Sequence, residues 1–227
     1  MRNILIVAAH PDDEVLGCGA TITRHAEAGD SVCALILGEG VTSRKGLPAA
    51  RHKTALKSLQ NAARTSAARL GIKRLIFKNF PDNRFDTIAR LELIQSIEDV
   101  VSDWKPEIVY THGSYDLNID HQVCAEAVKT ATRPLPGSRV REVYSFEVPS
   151  ATEWRFDPTA AFHPDTFVDV SKTLERKLQA LAAYEPEMRR FPHPRSAEYV
   201  RALATVRGGQ SGLRAAEAFR TVRRLIP

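Results

Sequence analysis

At 227 residues the chain is long enough for one well-cored domain, the expected unit being residues 1–227 as a whole. Hydrophobic residues at 43% and charged residues at 26% argue against disorder, and no apolar run approaches the roughly 18 to 20 residues of a membrane-spanning helix. The net charge of +5 is uneven: from Ser171 onward twelve Lys and Arg face five Glu and no Asp, which suits either an anionic small-molecule partner or a solvated helix face.

The start, Met1-Arg2-Asn3 followed by Ile4 to Ala8, is too short in its apolar run for a signal peptide, and no small-residue cleavage site precedes His10. It reads as a buried first strand, Asn3 to Ala9. Further strands are expected at Ser31 to Leu37, Arg74 to Phe77, Ile108 to His112 and Arg141 to Phe146. Helices alternate with them, at Asp13 to Ala28, Ala49 to Leu70, Ile88 to Asp103 and His121 to Thr132, with two or three more after Ser171. Gly29, Gly71 and Pro106 supply the stops. Near-continuous apolar strands separated by helices predict an α/β fold: a Rossmann-like, doubly wound, mostly parallel sheet with helices on both faces. The segments Arg133 to Gly137 and Phe191 to Pro194 are rich in proline and read as surface connections. Cys18, Cys33 and Cys124 have no C-x-x-C spacing and an odd count, so they are expected as small apolar residues in a reducing, cytoplasmic setting.

In an open parallel sheet, ligands gather beyond the carboxyl ends of the strands. There strand one delivers Ala9-His10-Pro11-Asp12-Asp13-Glu14, strand three Asn79-Phe80-Pro81-Asp82-Asn83-Arg84-Phe85-Asp86, and strand four His112 through His121. Three acids and an imidazole at the end of a buried strand must be solvated, paired or bound to a cation. A dinucleotide loop is excluded, because the first turn carries acids where a pyrophosphate would sit and Gly17 and Gly19 lack a third glycine. These glycines are expected to let the first helix approach the sheet. For a divalent metal, His10 and Asp13 lie three apart across a tight turn and His121 can supply the third ligand, while Asp12 stays unliganded as a base.

The signature Ala9-His10-Pro11-Asp12-Asp13-Glu14 after an N-terminal strand, with Asp120-His121 later, resembles the PIG-L, or LmbE-like, family of zinc-dependent N-acetylglucosaminyl deacetylases. The order of elements fits over approximately the first 150 residues. The resemblance implies one Zn2+ per chain held by His10, Asp13 and His121, with Asp12 as general base and Asp120 as a residue that orients the site. Many relatives carry a histidine three positions before the last ligand that steadies the oxyanion; Asn118 stands there instead. Its amide can donate a hydrogen bond but cannot transfer a proton. Proton return to the amine is then expected from Asp12, with His112 either a donor or a floor residue bonded to backbone.

Arg84 and Asp86 fall where relatives contact substrate, against the alternative that Arg84 pairs with Asp82 or Asp86 to brace its loop. Glu14 is expected as a helix-start acid favoured by the dipole, and Glu217 as a solvated helix acid. The implied reaction is hydrolysis of the acetamide of an N-acetylated amino sugar, free or nucleotide-, phosphate- or lipid-linked. The implied partners are that anionic small molecule and, in an oligomer, further copies of the chain, with no role for nucleic acid or a transmembrane segment. Alternatives are another N-acyl substrate of thiol-precursor or antibiotic type, a pocket including Trp154 favouring a nucleotide or lipid anchor, and a non-catalytic sugar-binding protein. A two-metal phosphoesterase would need more ligands than the chain offers.

Overall fold

The first strand sets the architecture, because its five buried residues alternate between two apolar layers. In the computed structural model, which describes residues 1–43 and 48–226, β1 (Asn3–Ala8) turns Ile4 and Ile6 to one face of the sheet and Leu5 and Val7 to the other. Ile4 and Ile6 meet Val15 and Ile22 of α1 (Asp13–Glu27), Leu59 of α2 (Ala49–Leu70) and Leu181 of α5 (Leu174–Leu181). Leu5 and Val7 meet Leu93 and Ile97 of α3 (Arg90–Trp104) and Cys124 and Val128 of α4 (Ile119–Ala131). Each such side chain contributes about 1.5–3 kcal/mol by leaving water.

The remaining strands are β2 (Ser31–Gly38), β3 (Arg74–Phe80), β4 (Ile108–Thr111), β5 (Glu142–Phe146), β6 (Thr166–Asp169) and β7 (Ala216–Arg224), and a last helix α6 covers Ala197–Ser211. They form one sheet in the order β3-β2-β1-β4-β5-β7-β6. From β3 to β5 every pairing is parallel, so the expected doubly wound core with helices on both faces is present. Its switch point lies between β1 and β4, which leave in opposite directions along the sheet. Cys18, Cys33 and Cys124 are free and buried, as small apolar residues would be. Among the described residues no helix is long and apolar enough to cross a membrane.

The region after Ser171 departs from expectation: beside α5 and α6 it holds β7, which pairs antiparallel with both β5 and β6. Ala216 to Phe219 is a short apolar run interrupted by one acid, and such a run does not distinguish strand from helix by period. Part of the basic tail therefore lies on a strand, with Arg220 and Arg224 exposed along β7 and not on a helix face.

Glu217 is likewise not a solvated helix acid. Its carboxylate is buried and repairs a break in α1, where Cys18 leaves helical geometry at φ −148° and ψ 24°. Glu217 accepts from the backbone N–H groups of Ala20 (3.1 Å) and Thr21 (2.7 Å), and the Lys177 ammonium donates to the Leu16 carbonyl (2.8 Å). A 2.7 Å ion pair joins the two side chains. The expected close approach of α1 also holds, since a Cβ on Gly17 would come within 2.3 Å of the Phe146 ring. Replacing Glu217 by Ala strands the Lys177 charge and two amides, and is expected to cost about 3–5 kcal/mol, read as a lowered urea midpoint. A midpoint unchanged from wild type would contradict the clamp.

Candidate metal centre

The turn after β1 is built by its own acids. His10 N–H donates to Asp13 Oδ2 (2.9 Å) and Asp13 N–H returns to the His10 carbonyl (3.3 Å), so both side chains face one point. Between them Asp12 takes the left-handed φ of 107°, a conformation that costs a non-glycine residue of order 1–3 kcal/mol. Glu14 holds it there: Oε2 accepts from Asp12 N–H (3.0 Å) and Oε1 from the Tyr184 hydroxyl (2.6 Å). Glu14 is wholly buried, and burial pushes its carboxyl up to about 7, so the dipole alone does not account for it.

The other half comes from the loop after β4. Asp116 Oδ1 accepts from Asn118 N–H (2.9 Å), and Asn118 Oδ1 caps α4 by accepting from Asp120 N–H (2.8 Å) and His121 N–H (3.4 Å). This cap is an Asn at its favoured position, and it fixes Asp120 and His121 in the first turn.

His10, Asp13 and His121 converge, with candidate ligand atoms all within 4.8 Å of one another. Asp13 Oδ2 lies 3.3 Å from His10 Nδ1 and 3.2 Å from His121 Nε2. Asp13 Oδ1 and both ring nitrogens of His121 are buried without a well-aligned hydrogen bond, a costly state that a cation between Asp13 and His121 Nε2 would relieve in part. A carboxylate stands close to the far nitrogen of each imidazole. Asp120 Oδ2 and Asp82 Oδ1 stand 3.0 and 3.1 Å from His10 Nε2, and Asp116 Oδ1 stands 3.1 Å from His121 Nδ1. Such support is the usual companion of metal-bound histidine. Burial alone would lower His121, but Asp13 and then Asp116 outweigh it and lift it to about 9; Asp13 stays well below the usual carboxylate range against its burial, through His121 and His112. Two imidazoles and one carboxylate are a donor set that zinc accepts, and the residues present fit such an ion.

A second group, His10, Asp82 and Asp120, is also close enough to hold an ion. It is less suited, because Asp120 already accepts from Phe85 N–H (2.9 Å) and Asn83 N–H (2.6 Å) besides His10. Asp120 thereby ties the loop after β3 to His10, and its carboxylate is satisfied without a metal.

A cleft of about 180 Å3 opens over the cluster, lined by His10, Asp12, Asp82, Asn83, Asn118 and Arg195 among others. Burial pushes the Asp12 carboxyl up to about 8, against the opposing pull of the Arg195 guanidinium 2.8 Å away. Arg195 was not anticipated from sequence. It sits just past the proline-rich Phe191 to Pro194 segment, 183 residues from its partner, and no local spacing signals the contact. Asp82 and Asp116 were also unassigned, although both fall in the loops expected to converge.

His112 is a floor residue bonded to backbone. Its Nε2 accepts from Ala9 N–H (2.9 Å), its ring stacks on His121 with centroids 3.9 Å apart, and burial drives it down to about 3. It is thus a neutral acceptor at that nitrogen and not a proton donor to the cleft. Arg84 and Asp86 are exposed and do not line the cleft, and among the described residues the Arg84 side chain forms no ion pair with Asp82 or Asp86.

The sequence matches the PIG-L family, described as GlcNAc-PI de-N-acetylase, over residues 5–132. It is 31% identical over 179 residues to the uncharacterized deacetylase YaiS of Escherichia coli, covering 75% of this chain and 83% of that one. It is 28% identical over 229 residues to diacetylchitobiose deacetylase of Thermococcus kodakarensis, covering 98% and 84%. The solved structure of N,N'-diacetylchitobiose deacetylase from Pyrococcus horikoshii shares the fold with a TM-score of 0.80 at 19% identity, over 98% of this chain and 84% of that one. More than half of the chain, signature turn included, falls within the matched region. The chain belongs to the PIG-L family.

Proposed function

We propose that the protein is a metal-dependent N-deacetylase that hydrolyses the acetamide of an N-acetylated amino sugar to acetate and a free amine. The observation that carries this reading is the buried cluster of His10, Asp13 and His121, reached from a cleft that His10 and the neighbouring Asp12 line. Deacetylases among the relatives support the reaction class.

His10, Asp13 and His121 would hold one divalent ion, zinc by the character of the donors. When bound, such an ion polarises an amide carbonyl and acidifies water. Asp12 accepts the proton of the attacking water, whose oxygen forms the new bond to the carbonyl carbon. When the C–N bond breaks, the same carboxyl returns the proton to the departing nitrogen. Asp120 keeps the far nitrogen of His10 engaged and Asp116 stands 3.1 Å from that of His121, so the other nitrogens face Asp13. Asn118 has its carbonyl oxygen committed to the α4 cap, which leaves its NH2 group for the cleft. That group now reaches Asn83 Oδ1 at 3.3 Å and can turn to donate to an oxyanion, but it has no proton to give away.

The charge of the cleft bears on the substrate. Among the described residues, Asp12 and Asp82 line it together with Arg195, whose guanidinium is already paired with Asp12. This favours an uncharged saccharide over the anionic substrate that the basic tail suggested. The test is acetate release from N-acetylglucosamine, its β-linked disaccharide and nucleotide-linked forms, with the uncharged sugars expected to react fastest. No release from any of them would overturn the amino-sugar reading.

A further inference from the structure

Arg195 is held as a tool would be, on both sides of its backbone and at two points of its side chain. Its N–H donates to His193 Nδ1 (3.0 Å), and Ser196 next to it caps α6 by accepting from Tyr199 N–H (3.1 Å) while its own N–H bonds to the His193 carbonyl (2.9 Å). The guanidinium then forks: Nε donates to Ser150 Oγ (2.9 Å) and Nη1 to Asp12 Oδ2 (2.8 Å), with Glu187 at 4.0 Å. The side chain keeps 24% of its exposure and lines the cleft.

Asp12 is gripped in a complementary way. Its N–H is fixed by Glu14, its carbonyl receives the N–H groups of Val15 (3.0 Å) and Leu16 (2.8 Å), and Oδ2 is taken by Arg195. Oδ1 is the carboxylate oxygen left for water. We propose that Arg195 is a positioning residue for the deacetylation, which by engaging Asp12 Oδ2 from the Ser150 anchor aims Oδ1 at the attacking water. The role rests on Asp12 being the base, as in the reaction above. A lysine could not replace it, because only a planar fork spans two acceptors at a fixed angle.

Misplacing a base by about 1 Å can cost roughly 10²-fold in rate. Arg195→Ala is therefore expected to lower kcat by about 10²-fold with KM and bound metal unchanged. Millimolar guanidinium should restore part of that kcat and leave the wild type unaffected, a rescue that a purely structural contact would not show. Arg195→Lys keeps the charge and loses the fork, so its kcat should fall as well while its melting temperature stays near wild type. A wild type that releases no acetate from any N-acetyl substrate defeats the deacetylase reading and this role together. A wild type that does, with Arg195→Ala equal to it in kcat, or with a lost kcat that guanidinium does not restore in either part, overturns the role of Arg195 alone.

Discussion

Asp12→Asn lowers acetate release by about 10²–10⁴-fold, the usual range for a general base, and leaves the metal bound. The amide is nearly isosteric and keeps an oxygen for Arg195, and the backbone grip by Glu14 does not involve the side chain of residue 12. What it loses is the ability to take a proton. Stability should move the other way. Burial raises the Asp12 carboxyl from its usual 3.8 to about 8, so at pH 7 the metal-free folded state bears a penalty on this group that the unfolded chain does not. Asn removes that penalty, and a melting temperature at or above wild type is expected beside the lost activity. Undiminished turnover would remove Asp12 from the reaction.

His121→Ala should abolish metal retention outright. Loss of an outer partner costs about 10–100-fold in metal affinity, and loss of a ligand must exceed that. The substitution also removes the imidazole between Asp13 and Asp116, whose carboxylates lie 3.2 and 3.1 Å from it in the interior. Two buried acids that lose their shared imidazole are expensive, so the variant is expected to be less stable at neutral pH and to recover as the acids protonate. The sign follows from Asp13 and Asp116: both are held below their ordinary values in the wild type against their burial, chiefly by the adjacent His121 imidazole. Metal content measured after dialysis decides the matter, and full occupancy in this variant would exclude His121 as a ligand.

Much of the sheet was readable from sequence because its signals are local. The run from Ile4 to Ala8 is continuous in apolar residues, and α2 starts and ends at the expected Ala49 and Leu70 because Gly71 takes a φ of 81° at its end. The convergence of His10, Asp13 and His121 was readable for a similar reason: His10 and Asp13 share one turn, and Asn118, three residues before His121, caps the helix that carries it. Long-range chemistry was not readable. Glu217 is an acid in an apolar strand only because Lys177 and a broken α1 need it, and neither partner is near in sequence. Arg195 follows directly on what reads as a surface connection, and its partner is fixed by the path of the C-terminal segment over the cleft. Glu14 looked like one more acid at a helix start; only the distant Tyr184 hydroxyl shows that it serves the strained backbone of Asp12.

The measurement that tests the metal-dependent deacetylase most directly is titration of zinc into chelator-stripped protein, with acetate release from an N-acetylated saccharide followed at each addition. The rate should rise from near zero and saturate at one ion per chain, and His121→Ala should not recover. Acetate release at the full rate by the stripped protein, or saturation only at two ions per chain, would contradict a single centre built by His10, Asp13 and His121.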